Sequence, residues 1–77
     1  MQKTVENYIR SPGDGSRLLD EGCEQLIAAG FRPDYFSVRC RADLSEPAAA
    51  DRELILLAAA WLGQTRLIDN LEFTLPA

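Results

Sequence analysis

Leu54-Ile55-Leu56-Leu57-Ala58-Ala59-Ala60-Trp61-Leu62 is a run of nine consecutive apolar residues, closed by Gly63. It falls well short of the roughly 20 residues needed to span a bilayer, so it belongs to a protein core. The run reads as a helix that is apolar on nearly all sides, the buried centre of the fold. Gly63 reads as its stop, because glycine takes the left-handed conformation at least cost. Asp51 and Glu53 then sit near the helix start, where the dipole favours acids. Trp61 reads as core rather than as a stacking platform, its burial worth on the order of 3 kcal/mol. Beyond Gly63, Leu67, Leu71, Phe73 and Leu75 recur at even spacings with Arg66, Glu72 and Thr74 between them, which predicts a strand with one apolar face. Asp69-Asn70 interrupts it. The pair is read as a bulge or turn whose side chains bond nearby backbone, in preference to a catalytic carboxylate.

Upstream, Val5, Tyr8 and Ile9 stand at helical spacing within residues 2–10. Ser11-Pro12-Gly13-Asp14-Gly15 is a turn in which proline fixes one φ and the glycines permit positive φ, and Ser16 is placed to cap the next helix. That helix covers residues 17–29, with Leu19, Cys23, Leu26 and Ile27 on one face and Asp20, Glu21, Glu24 and Gln25 off it. Gly22 weakens it by about 1 kcal/mol relative to alanine and leaves room for a close neighbouring backbone. Gly30 is its stop, Phe31 folds back on Leu26, and Pro33 prevents the helix from resuming. Residues 35–41 alternate cleanly: Phe36, Val38 and Cys40 one way, Ser37, Arg39 and Arg41 the other. Residues 43–47 offer a turn or a short third strand. The expected architecture is α+β: a small antiparallel sheet of two to three strands packed on one face against two to three helices.

At 77 residues the chain is one domain, with a core worth only roughly 3–5 kcal/mol unless it is stapled or oligomeric. Hydrophobic residues make up 47%, which argues against disorder. The net charge of −4 gives no electrostatic reason to bind nucleic acid or an anionic membrane. The sequence shows no signal peptide or transmembrane segment, and a cytoplasmic location is expected. Histidine is absent, which removes the commonest metal ligand and neutral-pH base.

Three groups invite a chemical reading. Gly13-Asp14-Gly15-Ser16-Arg17 resembles a phosphate-cradling loop, but no Gly-Lys-Ser/Thr follows and no strand precedes it, so a plain turn is preferred. Cys23 and Cys40 lack metal-ligand spacing and lie on predicted apolar faces, so both read as reduced core thiols. Arg39, Arg41 and Arg66 can share one surface if the strands pair. The preferred reading is that they pair with Asp43, Asp69 or Glu72 rather than bind anions, each pair contributing about 1 kcal/mol at most. No catalytic, cofactor-binding or metal-binding residue is assigned.

An aliphatic-Ala-Ala-Ala-x-Leu-Gly stretch running into Thr65-Arg66-Leu67-Ile68-Asp69-Asn70 resembles the carboxyl end of pantothenate synthetase, the pantoate–β-alanine ligase family. Ala28-Ala29-Gly30-Phe31, Asp34-Tyr35, Val38-Arg39 and Ala42-Asp43-Leu44 follow the family's order and spacing, so the resemblance covers roughly residues 26–70. Two features depart from it. Cys40-Arg41 stands where many members have Asp-Ala, and the Ser-Pro-Gly-Asp-Gly turn carries no part of the resemblance.

The resemblance implies residues 1–77 to be a single carboxyl-terminal lid domain of an enzyme that joins pantoate to β-alanine through a pantoyl-adenylate, with ATP and Mg2+. It implies a partner, the amino-terminal nucleotidylyl-transferase domain with the paired-histidine motif. That motif and the Lys-Met-Ser-type loop have no counterpart here. The lid alone is therefore expected to be inactive, without cofactor, and prone to self-associate as a dimer through bare surface. Two rivals stand beside it: a stand-alone self-associating interaction domain, and a small anion-binding module built on the strand arginines.

Overall fold

The computed structural model describes residues 2–48 and 50–76. The elements run α1 (Gln2–Arg10), a 3₁₀ turn (Pro12–Asp14), α2 (Gly15–Ala28), β1 (Arg32–Cys40), β2 (Glu53–Leu62) and β3 (Thr65–Thr74). The strands form one antiparallel sheet in the order β1-β2-β3. The helices cover one of its faces, so the α+β class expected from the sequence holds.

The apolar run is not a helix. It is the central strand β2, paired on both sides along its length. Leu54, Leu56, Ala58 and Ala60 are buried on the helix side, and Ala59 on the other face is buried too. Leu54, Leu56 and Ala58 join Val5, Phe36, Val38 and Phe73 in the core beneath the helices, while Ile55 and Leu57 are half-buried on the other face. A central strand has little polar surface to show, so it reads as a continuous run, the same signal a buried helix gives. Alanine's helix propensity is small against two strand ladders and a buried face.

The neighbouring expectations change with it. Gly63 does not stop a helix. It sits at φ +61° in the two-residue loop Gly63-Gln64 that joins β2 to β3, the glycine-first arrangement that matches strand twist. Glu53 is the first residue of β2, and Asp51 lies in the connection before it. Residues 43–47 form no strand; the third strand is β2 itself. Trp61 ends half-buried near the hairpin, not in the core. Asp69-Asn70 makes no bulge, because β3 keeps continuous register with β2 from Thr65 to Thr74, though Asp69 Oδ1 does accept the Asn70 backbone N–H at 2.8 Å.

The amino-terminal half follows its sequence closely. α1 spans the expected residues and packs Val5, Tyr8 and Ile9 on the core. Ser16 lies inside α2 rather than capping it, and Asp14 holds the cap position without a side-chain capping bond. Neither Gly13 nor Gly15 takes positive φ, because the segment closes as a 3₁₀ turn. On α2, Leu19, Cys23 and Leu26 pack on the core, but Ile27 is 60% exposed and Leu18 is buried instead. The glycine stop forms as expected: Gly30 sits at φ +95°, its N–H donates to Ile27 O at 3.0 Å, and Phe31 N–H returns to Leu26 O at 2.9 Å. Phe36, Val38 and Cys40 of β1 are buried as predicted. The neighbour close to Gly22 is not a backbone but the Phe36 ring, with the Thr4 side chain of α1 beside it.

Candidate functional surface

The helices leave the second face of the sheet open. Cross-strand rows follow from the register: Arg39–Ile55–Glu72, Ser37–Leu57–Asn70, Tyr35–Ala59–Ile68 and Arg32–Trp61–Arg66. An apolar centre runs along β2, with charged residues toward both ends. β1 carries an irregularity between Pro33 and Tyr35 that leaves Asp34 outside the one-to-one register. There Asp34 Oδ2 accepts from Arg66 Nη2 at 2.8 Å and Nε at 3.2 Å, across the width of β2. The Arg66 guanidinium also lies 5.9 Å from the Tyr35 ring centroid, and that of Arg32 lies 5.8 Å from Trp61.

The three arginines singled out in the sequence lie on this face, each with a carboxylate partner. Arg39 faces Glu46 at 3.6 Å, Arg41 faces Glu72 at 3.3 Å, and Arg66 faces Asp34. The pairing reading is right, although of the expected partners only Glu72 is used. Arg41 Nη2 also donates to the Phe73 carbonyl at 2.9 Å, so it ties β1's end to β3. The rows of Arg39 and Arg66 are six β2 residues apart, about 20 Å at a rise of about 3.3 Å per residue. These arginines do not converge on one anion.

The connection between β1 and β2 is held by two aspartates that the sequence reading did not single out for these roles. Asp43 Oδ1 accepts from Ser45 N–H at 3.1 Å and Ser45 Oγ at 2.7 Å, around Leu44 at φ +60°. The Ser45 bonds hold the Asp43 carboxyl below the usual range. Asp51 Oδ2 accepts from Ala48 N–H at 2.7 Å and from the Cys40 thiol at 2.9 Å. The Cys40 bond, with the Ala48 amide, pulls the Asp51 carboxyl down, and the Asp51 bond, with desolvation, pushes the Cys40 thiol up. A raised thiol is the opposite of an activated nucleophile. Cys23 is likewise raised, by burial first, and both thiols are free.

Gly13, Gly15 and Ser16 line an open groove of about 430 Å³ with Tyr8, Arg39 and Glu46. Asp14 stands at the head of α2 and bonds Arg17 there, so a carboxylate already occupies the surroundings an anion would need. Among the described residues no group of three His, Cys, Asp or Glu is gathered for a metal, and no helix is long and apolar enough to cross a membrane.

A three-stranded meander with helices on one face, paired arginines and protonated thiols defines a small α+β domain that offers surfaces, with no activated nucleophile or metal cluster among its described residues. Residues 1–72 match the family model of pantoate-beta-alanine ligase, and the chain belongs to that family. It is 62% identical over 76 residues to the pantothenate synthetase of Shewanella loihica, 54% over 77 residues to that of Shewanella sediminis, and 47% over 75 residues to that of Pseudomonas putida KT2440. These alignments cover 95%, 96% and 92% of this chain and 27%, 27% and 26% of the relatives. The chain therefore spans about a quarter of the length of the curated relatives it matches.

Proposed function

We propose that this chain is the carboxyl-terminal lid domain of an ATP-dependent pantoate–β-alanine ligase, acting in the cytoplasm with a nucleotidylyl-transferase domain that carries the chemistry. One observation carries the reading: a family match over residues 1–72 that corresponds to only about a quarter of the relatives' length. The residues support it. The chain has no histidine, the strand arginines Arg39, Arg41 and Arg66 are paired with Glu46, Glu72 and Asp34, and both thiols are pushed toward the protonated form. In this reading ATP and Mg2+ serve the nucleotidylyl-transferase domain, and no step is assigned to them here. The role left for this domain is to cover a site and exclude water from it.

AMP release is measured with ATP, pantoate and β-alanine, using this chain alone, the Shewanella loihica enzyme shortened to remove the homologous region, and the two mixed. The chain alone gives no release above blank, the shortened enzyme is impaired, and the mixture recovers turnover. Turnover by the chain alone overturns the proposal.

A further inference from the structure

We propose that the apolar recess at the carboxyl end of α2 binds a small primary ammonium ion with an apolar body, the body against Phe31, Ala58 and Ala60 and the charge at Asp69. The inference uses this domain's own residues and stands whether or not the ligase reading holds.

The recess follows from the residue pattern on the helix side of the sheet. Along β2 that side reads Leu54, Leu56, Ala58, Ala60, so the side chains shorten toward the hairpin. The β3 residues paired with them read Phe73, Leu71, Asp69, Leu67. Where leucines meet the helices the layer is filled, with Leu54, Leu56 and Phe73 in the core. Where alanines stand, a space of about 170 Å³ remains, lined chiefly by Leu26 of α2, Phe31 just beyond it, Ala58, Ala60, Leu67 and Asp69. Close-packed interiors hold few voids larger than a water molecule. A dry apolar cavity of roughly 150 Å³ is known to admit benzene. Leu67 and Asp69 are exposed, so this one opens to solvent at β3 and a ring enters without unfolding the core.

Charge selects the occupant. Asp69 is the acid in an otherwise apolar series on β3. Its Oδ1 accepts the Asn70 N–H, and none of the ion pairs among the described residues includes it. A second source of negative potential lies beside it. The last turn of α2 carries no basic residue, so the negative end of that helix dipole is without a cation of its own. An anion is repelled from such a site, and a neutral apolar molecule gains only burial. An ammonium on a short apolar body gains burial and charge together. The strand at the floor, β2, has its backbone paired on both sides and offers no free ladder, so the site takes a free molecule and not a stretch of polypeptide.

The test is an NMR titration of the 77-residue chain with benzylamine, benzyl alcohol and benzoate at low salt. Benzylamine gives saturable shifts centred on Leu26, Phe31, Ala58, Ala60 and Leu67, with a Kd on the order of 1 mM. Benzyl alcohol, which has the same ring without the charge, binds about threefold to fivefold more weakly, and benzoate more weakly again. Asp69→Asn, at an exposed position, keeps the shape of the site and abolishes the preference for the amine over the alcohol. Ala60→Leu fills the recess and removes binding of both; because it also perturbs a buried strand, the Asp69→Asn comparison decides the role of the charge. The proposal is overturned if benzylamine gives no saturable shifts up to about 20 mM, if its shifts centre elsewhere, if benzyl alcohol binds the wild type as tightly, if Asp69→Asn keeps the amine preference, or if Ala60→Leu binds benzylamine as the wild type does.

Discussion

Arg66 on β3 bonds Asp34 on β1 at 2.8 Å although β2 lies between them. The outer strands of a sheet are about 9–10 Å apart, and the contact closes because the β1 irregularity releases Asp34 toward the long arginine. Both side chains are partly exposed, at 37% and 46%. A double-mutant cycle with Asp34→Ala and Arg66→Ala, followed by urea unfolding, therefore yields a coupling of about 0.2–1 kcal/mol that shrinks at high salt. A coupling indistinguishable from zero would show that the contact does not brace the sheet.

Gly22 reverses the usual expectation for glycine in a helix. Alanine there gains about 1 kcal/mol of helix propensity. A Cβ there, however, would lie 2.6 Å from Phe36 Cε1 and 3.0 Å from Thr4 Oγ1, and the Phe36 ring is buried in the core. Overpacking costs about 1–3 kcal/mol, so Gly22→Ala lowers stability. Gly22→Ala combined with Phe36→Leu recovers part of the loss in thermal melts. A more stable single variant would mean that the ring moves freely.

What the sequence made legible divides at Pro33. The first half is written in local signals, namely the α1 and α2 stripes and the glycine stop at Gly30 with its Phe31 return, and local interactions decide those structures. Beyond Pro33 the alternation of β1 and β3 still reads as strands, but the apolar run between them is decided by partners far along the chain. Nothing within residues 54–62 distinguishes a helix buried all round from a strand flanked by two others. The signal that separates them lies outside the run: Gly63-Gln64 is a two-residue, glycine-first loop between an apolar stretch and the alternating residues of β3. Read as a hairpin, it sets Trp61 opposite Arg66 and makes the open-face rows of β2 and β3 predictable. Asp34's role stays hidden even then, because it depends on the irregularity in β1.

The Asp51–Cys40 bond predicts a pH signature. The Asp51 carboxyl titrates below the usual aspartate range in the folded chain, chiefly through the Cys40 bond. A depressed folded pKa means that its stabilising effect is present above the unfolded aspartate value, near 3.9, and is lost as pH falls through the folded one. Carboxyl-detected NMR locates that titration, and Asp51→Asn flattens the acid limb of the stability profile. Cys40 behaves in mirror image. Its raised thiol stabilises fully below the unfolded thiol value and less as pH climbs through the folded one, so alkylation of the folded protein stays slow until alkaline pH. An Asp51 titration at or above the ordinary aspartate value, or fast alkylation of Cys40 at neutral pH, contradicts the bond.

The loop at Gly63 gives a sharper prediction than its exposed position suggests. At φ +61° an L side chain is strained, and the two-residue connection leaves no slack to relax it. Gly63→Ala is therefore expected to cost about 1 kcal/mol or more. Gly63→Asn loses less, because asparagine tolerates the left-handed region better than alanine. Equal stability of the two variants in chemical denaturation would place the glycine elsewhere than in a tight hairpin.

Two adjacent leucines test the central strand itself. Leu56 is fully buried under the helices, while Leu57 is half-buried on the open face in a row with Ser37 and Asn70. Truncating Leu56 leaves a cavity lined by Phe36, Val38 and Phe73 neighbours in the core, and Leu56→Ala should cost about 2–5 kcal/mol. Leu57→Ala removes a side chain that water already reaches, and it should cost well under half as much. A helix buried on all sides would make the two losses alike, so equal destabilisation in urea titrations would restore the helical reading of residues 54–62, and unequal losses fix it as the middle strand of the sheet.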